Sequence, residues 1–173
     1  NALKQAVVQA MAHGAEMMLH FQFRTFPYGA EQLNYAIVDI DGVPRRRYRE
    51  MQETAAVLKQ LASYEKAVMR NEVGIVFDYD AYWALAIKPV NENFRYLAFC
   101  DQFYKMLNEM GHTSDVISLD ADWSDYKMIV VPSLFVMQES YRQKMKEYVK
   151  QGGTLVATFL TSVKNVDNTG YIE

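Results

Sequence analysis

The sequence is poor in cysteine and histidine and has no long apolar run, and each shortage removes a class of protein. A single cysteine, Cys100, cannot form an internal disulfide framework and fits a reducing compartment, so a cytoplasmic location is expected. The three histidines, His13, His20 and His112, are scattered without metal-ligand spacing, so no metal is expected. No stretch approaches the roughly 20 apolar residues that a membrane-spanning helix needs. The net charge of -3 gives no case for nucleic acid or for an anionic membrane. There is no internal repeat, no low-complexity linker and no signal peptide. The chain starts inside a helical pattern without an initiator methionine, as a severed piece would. What is present is core material: half of the 173 residues are hydrophobic and 13% aromatic, ample for a packed interior.

Two blocks follow along the chain, joined near Ser63 to Glu72. In the first, Leu3, Ala6, Val7, Ala10 and Met11 recur at helical spacing, and Gly14 is a natural stop. Met17, Leu19, Phe21 and Phe23 then alternate with Met18, His20, Gln22 and Arg24, which predicts a strand with two unlike faces. An irregular stretch from Thr25 to about Val43 is punctuated by Pro27, Gly29 and Gly42, and Met51, Ala55, Leu58 and Ala62 mark another helix. One strand cannot make a sheet, so this block reads as the end of something larger. The second block is self-consistent. "VGIVF" (73–77), "DVISL" (115–119), "KMIVV" (127–131) and "TLVATFL" (154–160) are strand candidates. Helices are expected over about 94–110 and 138–150, the latter turning Tyr141, Met145, Tyr148 and Val149 inward. The first of these strands is continuously apolar, as for a strand covered on both faces. The alternation predicts an α/β domain, flavodoxin-like or Rossmann-like, whose mostly parallel sheet carries helices on both faces.

Several residues invite functional readings. Asp78 and Asp80 in "FDYDAYWAL" stand at the carboxyl end of the first sheet strand, where open α/β sheets bind ligands. A phosphate loop would need glycines or hydroxyls there, and Asp-Tyr-Asp adds charge of the wrong sign. The segment reads better as a helix cap with Tyr82 and Trp83 as interface anchors, and no cofactor is expected. Cys100 falls mid-helix in "YLAFCDQFY", as a buried inert thiol would. Arg45, Arg46, Arg47 and Arg49 read as a salt-bridged helix start. "FQFRTFPYGAEQLNY" (21–35) brings aromatic faces, Arg24 and a lone Glu31 together, as in a carbohydrate pocket. A strand followed by such a loop suits the last strand of a (β/α)8 barrel, whose chemistry collects on the loops after its strands. The residues by themselves leave open whether this is part of an active site or an aromatic loop, since they form no complete catalytic set.

"AMAHGAEMMLHFQFRTFPYGAEQLNYAIVD" resembles the segment that closes the barrel of glycoside hydrolase family 42 β-galactosidases. The likeness runs on, in order, through "RRRYREMQETAAVLKQLA", "VGIVFDYDAYWAL", "YKMIVVPSLFVM" and "YVKQGGTLVATF", over nearly the whole chain.

The resemblance implies that residues 1–64 are the C-terminal end of a barrel and 65–173 an amidotransferase-like trimerisation domain without a nucleophile. It implies a parent that hydrolyses terminal β-D-galactosides with retention, through two glutamates upstream of Leu3, so that no catalytic residue lies in this chain. Glu31 matches a family glutamate that accepts hydrogen bonds from galactose hydroxyls. Phe23 stands where the family has a tryptophan and Asn34 where it often has a histidine, so the pocket is reshaped. Phe23, Arg24, Glu31 and Asn34 are the expected substrate-binding residues, and a homotrimer the expected assembly. The alternative class is a free-standing flavodoxin-like binding or interaction module.

Overall fold

The computed structural model describes residues 2–64 and 67–171, which fall into two compact units, Asn1–Met69 and Arg70–Glu173. The expected boundary between residues 64 and 65 touches Glu65 and Lys66, which lie outside the described residues.

The first unit contains α1 (Ala2–Ala12) and α2 (Arg46–Leu61), the latter ending in a 3-10 turn, Ala62–Tyr64. Gly14, at φ +91, closes α1: Gly14 N–H donates to the Met11 carbonyl and Ala15 N–H to that of Ala10, both at 3.0 Å. This is the paired closure that a left-handed residue permits, and it explains why the helical pattern stops there. The arginine run begins α2. Arg45 pairs with Asp39 and Asp41, Arg46 with Glu50, and Arg47 with Asp39. The salt-bridged helix start is as expected.

The strand expected over Met17–Arg24 is not formed. Among the described residues the segment bridges only at Arg24 and Val38, through Val38 N–H to the Phe23 carbonyl (2.8 Å) and Thr25 N–H to the Val38 carbonyl (3.1 Å). A ladder needs a neighbour along its length, and among the described residues 17–22 have none beyond Ile37 N–H on the Gln22 carbonyl. Met17, Leu19, Phe21 and Phe23 are all exposed, whereas Gln22 is buried. The expected difference between two faces is not seen either, since His20 and Arg24 are exposed as well.

The second unit is a four-stranded, wholly parallel sheet in the order β2-β1-β3-β4. Its elements are β1 (Val73–Val76), α3 (Tyr79–Ile87), α4 (Tyr96–Glu109), β2 (Ser114–Ile117), β3 (Met128–Val131), α5 (Glu139–Lys150) and β4 (Thr154–Ala157). Successive side chains of a strand point to opposite faces, and here they feed two separate cores. Val73, Ile75 and Val130 pack with Leu107 of α4, while Val76, Ile129 and Val131 join Met145 and Tyr148 of α5. Both faces are therefore covered, which is why the central strands are continuous apolar runs. Gly74 is a packing requirement, since a Cβ there would lie 2.7 Å from Ile117 Cδ1 and 2.8 Å from Ile129 Cδ1. One inward assignment is corrected: Tyr148 and Met145 are buried, but Val149 lies at the edge of the helix stripe and is half exposed.

Candidate functional site

In the first unit the loop from Thr25 to Val43 is built of backbone turns held by side chains. Gln32 N–H donates to the Gly29 carbonyl and Asn34 N–H to that of Glu31, both at 3.3 Å, with Leu33 in the left-handed region at φ +68. Glu31 and Asn34 thus occupy one turn, exposed, and their side chains have no hydrogen-bond or ionic partner among the described residues. The buried Thr25 hydroxyl donates to the Asn34 carbonyl at 3.0 Å. Phe23 presents its ring outward, 65% exposed.

Arg24 is differently employed. Its Nε and Nη2 donate to the Ile40 carbonyl at 3.2 and 2.7 Å, so two of its donor atoms clamp the loop's exit. Asp41 is held well below the usual carboxylate range, first by its hydrogen bond with Arg45 and then by the Val43 N–H. The Arg47 guanidinium also lies 5.4 Å from the centre of the Tyr35 ring, over its face. What results is an exposed carboxylate, an amide and an aromatic face on a loop pinned at both ends. Such a set can accept and donate hydrogen bonds to hydroxyls and stack on an apolar sugar face.

In the second unit Asp78 caps α3, its Oδ1 accepting from Ala81 N–H at 2.7 Å. Burial pushes the Asp78 carboxyl up, and the charges of Asp80 and Asp120 add to this against the lowering by the Ala81 bond. The capping role read from the sequence is therefore present. Burial also pushes the Cys100 thiol up to about 11, which leaves it protonated and unsuited to nucleophilic attack at neutral pH. Ser133, after β3, has φ +41, but it is fully buried and its N–H donates to Thr158 Oγ1 at 2.8 Å. No residue type or spacing announces that buried left-handed residue in the sequence.

Outside the sheet, α3 presents Tyr79, Trp83 and Ile87 to solvent, with the first two rings 5.6 Å apart. An apolar hollow of about 380 Å³ is lined by Val90, Asn91, Phe94, Phe159 and Leu160. Among the described residues, no group of His, Cys, Asp and Glu could hold a metal ion, and no helix is long and apolar enough to cross a membrane.

The β-galactosidase trimerisation domain family matches residues 71–173, and the β-galactosidase family matches residues 1–61. The chain belongs to the glycoside hydrolase family 42 β-galactosidases. Relatives of this family-42 chain include β-galactosidase Pbg of Clostridium perfringens, 31% identical over 90% of this chain and 23% of the relative. β-Galactosidase Bga of Halorubrum lacusprofundi is 34% identical over 97% of this chain and 24% of its own length. Among solved structures, Gan42B, a GH42 β-galactosidase from G. stearothermophilus, superposes with a TM-score of 0.92 at 30% identity, covering 98% of this chain and 25% of its own. The chain thus spans about a quarter of the length of the relatives it matches. Within this family-42 chain, the Thr25–Val43 loop falls in the β-galactosidase match, and α3 with its aromatic face in the trimerisation match.

Proposed function

We propose that this chain serves a retaining β-galactosidase acting on terminal β-D-galactosides, with residues 1–64 as the last part of its (β/α)8 barrel and 65–173 as a flavodoxin-like trimerisation domain. On this reading the acid/base and nucleophile glutamates are carried by barrel strands outside residues 1–173, and the present chain supplies one wall of the sugar pocket. Glu31 accepts hydrogen bonds from galactose hydroxyls, and the Asn34 amide bonds a neighbouring hydroxyl. Phe23 packs on the apolar sugar face. Arg24, whose Nη1 has no partner among the described residues, donates to the sugar from the loop's edge.

The observation that carries the reading is the order of the two family matches, galactosidase then trimerisation domain, on a chain whose galactosidase part carries an exposed carboxylate-amide turn without side-chain partners among the described residues. The outward face of Met17, Leu19, Phe21 and Phe23 supports it, since apolar side chains alternating along an unpaired extended segment suit a strand completed by further barrel strands. The exposed Tyr79, Tyr82 and Trp83 support a homotrimer contact, because large aromatics are enriched at the centres of protein interfaces. A cytoplasmic location fits the single buried cysteine.

The test is hydrolysis of a chromogenic β-galactoside by residues 1–173 alone and by the longer polypeptide that carries them. Silence of the former with turnover by the latter is expected. Turnover by residues 1–173 alone at the rate of a whole enzyme would refute the assignment of the catalytic pair to another segment.

A further inference from the structure

The turn that carries Glu31 and Asn34 hangs from one buried side chain. Thr25 is only 8% exposed and uses both of its donors: N–H to the Val38 carbonyl at 3.1 Å, and the hydroxyl to the Asn34 carbonyl at 3.0 Å. That hydroxyl is the one hydrogen-bond donor to the Asn34 carbonyl among the described residues. Asn34 N–H in turn binds the Glu31 carbonyl, so a single chain of bonds runs from Thr25 through Asn34 to Glu31. Because the Glu31 and Asn34 side chains have no partners of their own among the described residues, only the backbone restrains the positions from which they project.

We propose that Thr25 is a positioning residue for galactoside binding: its hydroxyl fixes the turn so that the Glu31 carboxylate and Asn34 amide meet the sugar hydroxyls together. This rests on the pocket reading given above. On that reading the turn meets sugar hydroxyls that the reaction leaves unchanged, so it binds ground state and transition state alike. Loosening it raises KM and leaves kcat nearly unchanged. A structural role alone would instead lower the amount of folded enzyme and with it the apparent kcat.

The experiment compares Thr25→Val, Thr25→Ser and Glu31→Gln in the longer polypeptide, with a chromogenic β-galactoside as substrate and thermal midpoints as the folding control. Valine keeps the shape and removes the hydroxyl, and serine keeps the hydroxyl. The expected result is a KM raised about fivefold for Thr25→Val, the loss of one net hydrogen bond, with kcat held and serine close to the parent. If the valine variant does not fold, Thr25→Cys, with its weak donor, is expected to give a smaller rise in KM. An unchanged KM in Thr25→Val (or in the cysteine variant standing in for it) beside a raised KM in Glu31→Gln would overturn the positioning role and leave the pocket standing. Serine as impaired as valine would also overturn it, because a retained hydroxyl would then not suffice to set the turn. An unchanged kcat/KM in Glu31→Gln would instead overturn the pocket reading itself.

Discussion

The Tyr148 hydroxyl donates to the backbone carbonyl of Tyr126 at 2.9 Å, tying α5 to the turn that enters β3. The ring is edge-on to Trp123 at 5.6 Å and lies where a Cβ on Gly153 would reach it at 2.3 Å. Ring and hydroxyl can therefore be tested apart. Tyr148→Phe keeps the packing and removes the bond, and should lower stability by about 1 kcal/mol. Gly153→Ala should cost more, about 1–3 kcal/mol, because the ring itself must move. Urea midpoints at constant m measure both, and a glycine variant as stable as the parent would mean that the ring is not confined as described.

Stability of the second unit should fall in alkali, and the sign follows from burial. Burial pushes Cys100 up to about 11, and burial with the Asp115 carboxylate pushes Tyr126 up to about 12. Burial raises Tyr96 and Tyr148 in the same direction. Unfolded, these groups ionise near about 8.5 for the thiol and 10 for the phenols, so the folded state binds protons more tightly. Their contribution is complete below those unfolded values and is lost as pH rises through the folded ones. The urea midpoint should be level between about pH 7 and 8 and decline from about pH 9 upward. Cys100→Ala should delay the onset towards about pH 10, and an onset unmoved by that substitution would exclude the thiol as its first cause.

The sheet was readable because both of its faces are covered, which makes β1 and β3 uninterrupted apolar runs. The strand order was not, because nothing in "VGIVF" says that β2 and β3 will flank it. Alternation at residues 17–23 announced neither pairing nor a buried face, both of which depend on neighbours that alternation cannot specify. Residue type and the family resemblance singled out Glu31, Phe23 and Asn34, whereas the Arg24 clamp on Ile40 spans 16 residues and left no mark in the sequence. Thr25 was equally silent, since a buried hydroxyl bound to a backbone carbonyl looks like any loop threonine.

Asp78 both caps α3 and carries a charge in a half-buried place, and the two effects separate by substitution. Its carboxyl is raised by burial and then by Asp80 and Asp120, so the ionised form costs stability at neutral pH. The favourable share of this group is present below the unfolded value of 3.8 and is lost as pH rises through the folded one. Asn keeps the acceptor for Ala81 N–H without the charge, so Asp78→Asn should be at least as stable as the parent at pH 7. Its advantage should shrink as pH falls towards about 4. Asp78→Ala should lose about 1 kcal/mol relative to Asp78→Asn, the usual effect of a missing cap. Alanine and asparagine variants of equal stability would show that the 2.7 Å bond contributes nothing.

The exposed face of α3 carries the test of assembly. Tyr79, Trp83 and Ile87 recur every four residues along one side of the helix, with Trp83 55% exposed and Ile87 78% exposed. Free in water, such a stripe gains nothing from its apolar area, whereas a partner surface would remove it from solvent. Trp83→Ala in the longer polypeptide should therefore weaken the trimer by about 2 kcal/mol, a dissociation constant raised about 30-fold, as for a central interface aromatic. Sedimentation over a dilution series reads this directly. Leu97, exposed on α4, provides the control: Leu97→Ala should leave the trimer unchanged. If Trp83→Ala and Leu97→Ala dissociate at the same concentration as the parent, the α3 stripe is not the contact of the proposed trimer.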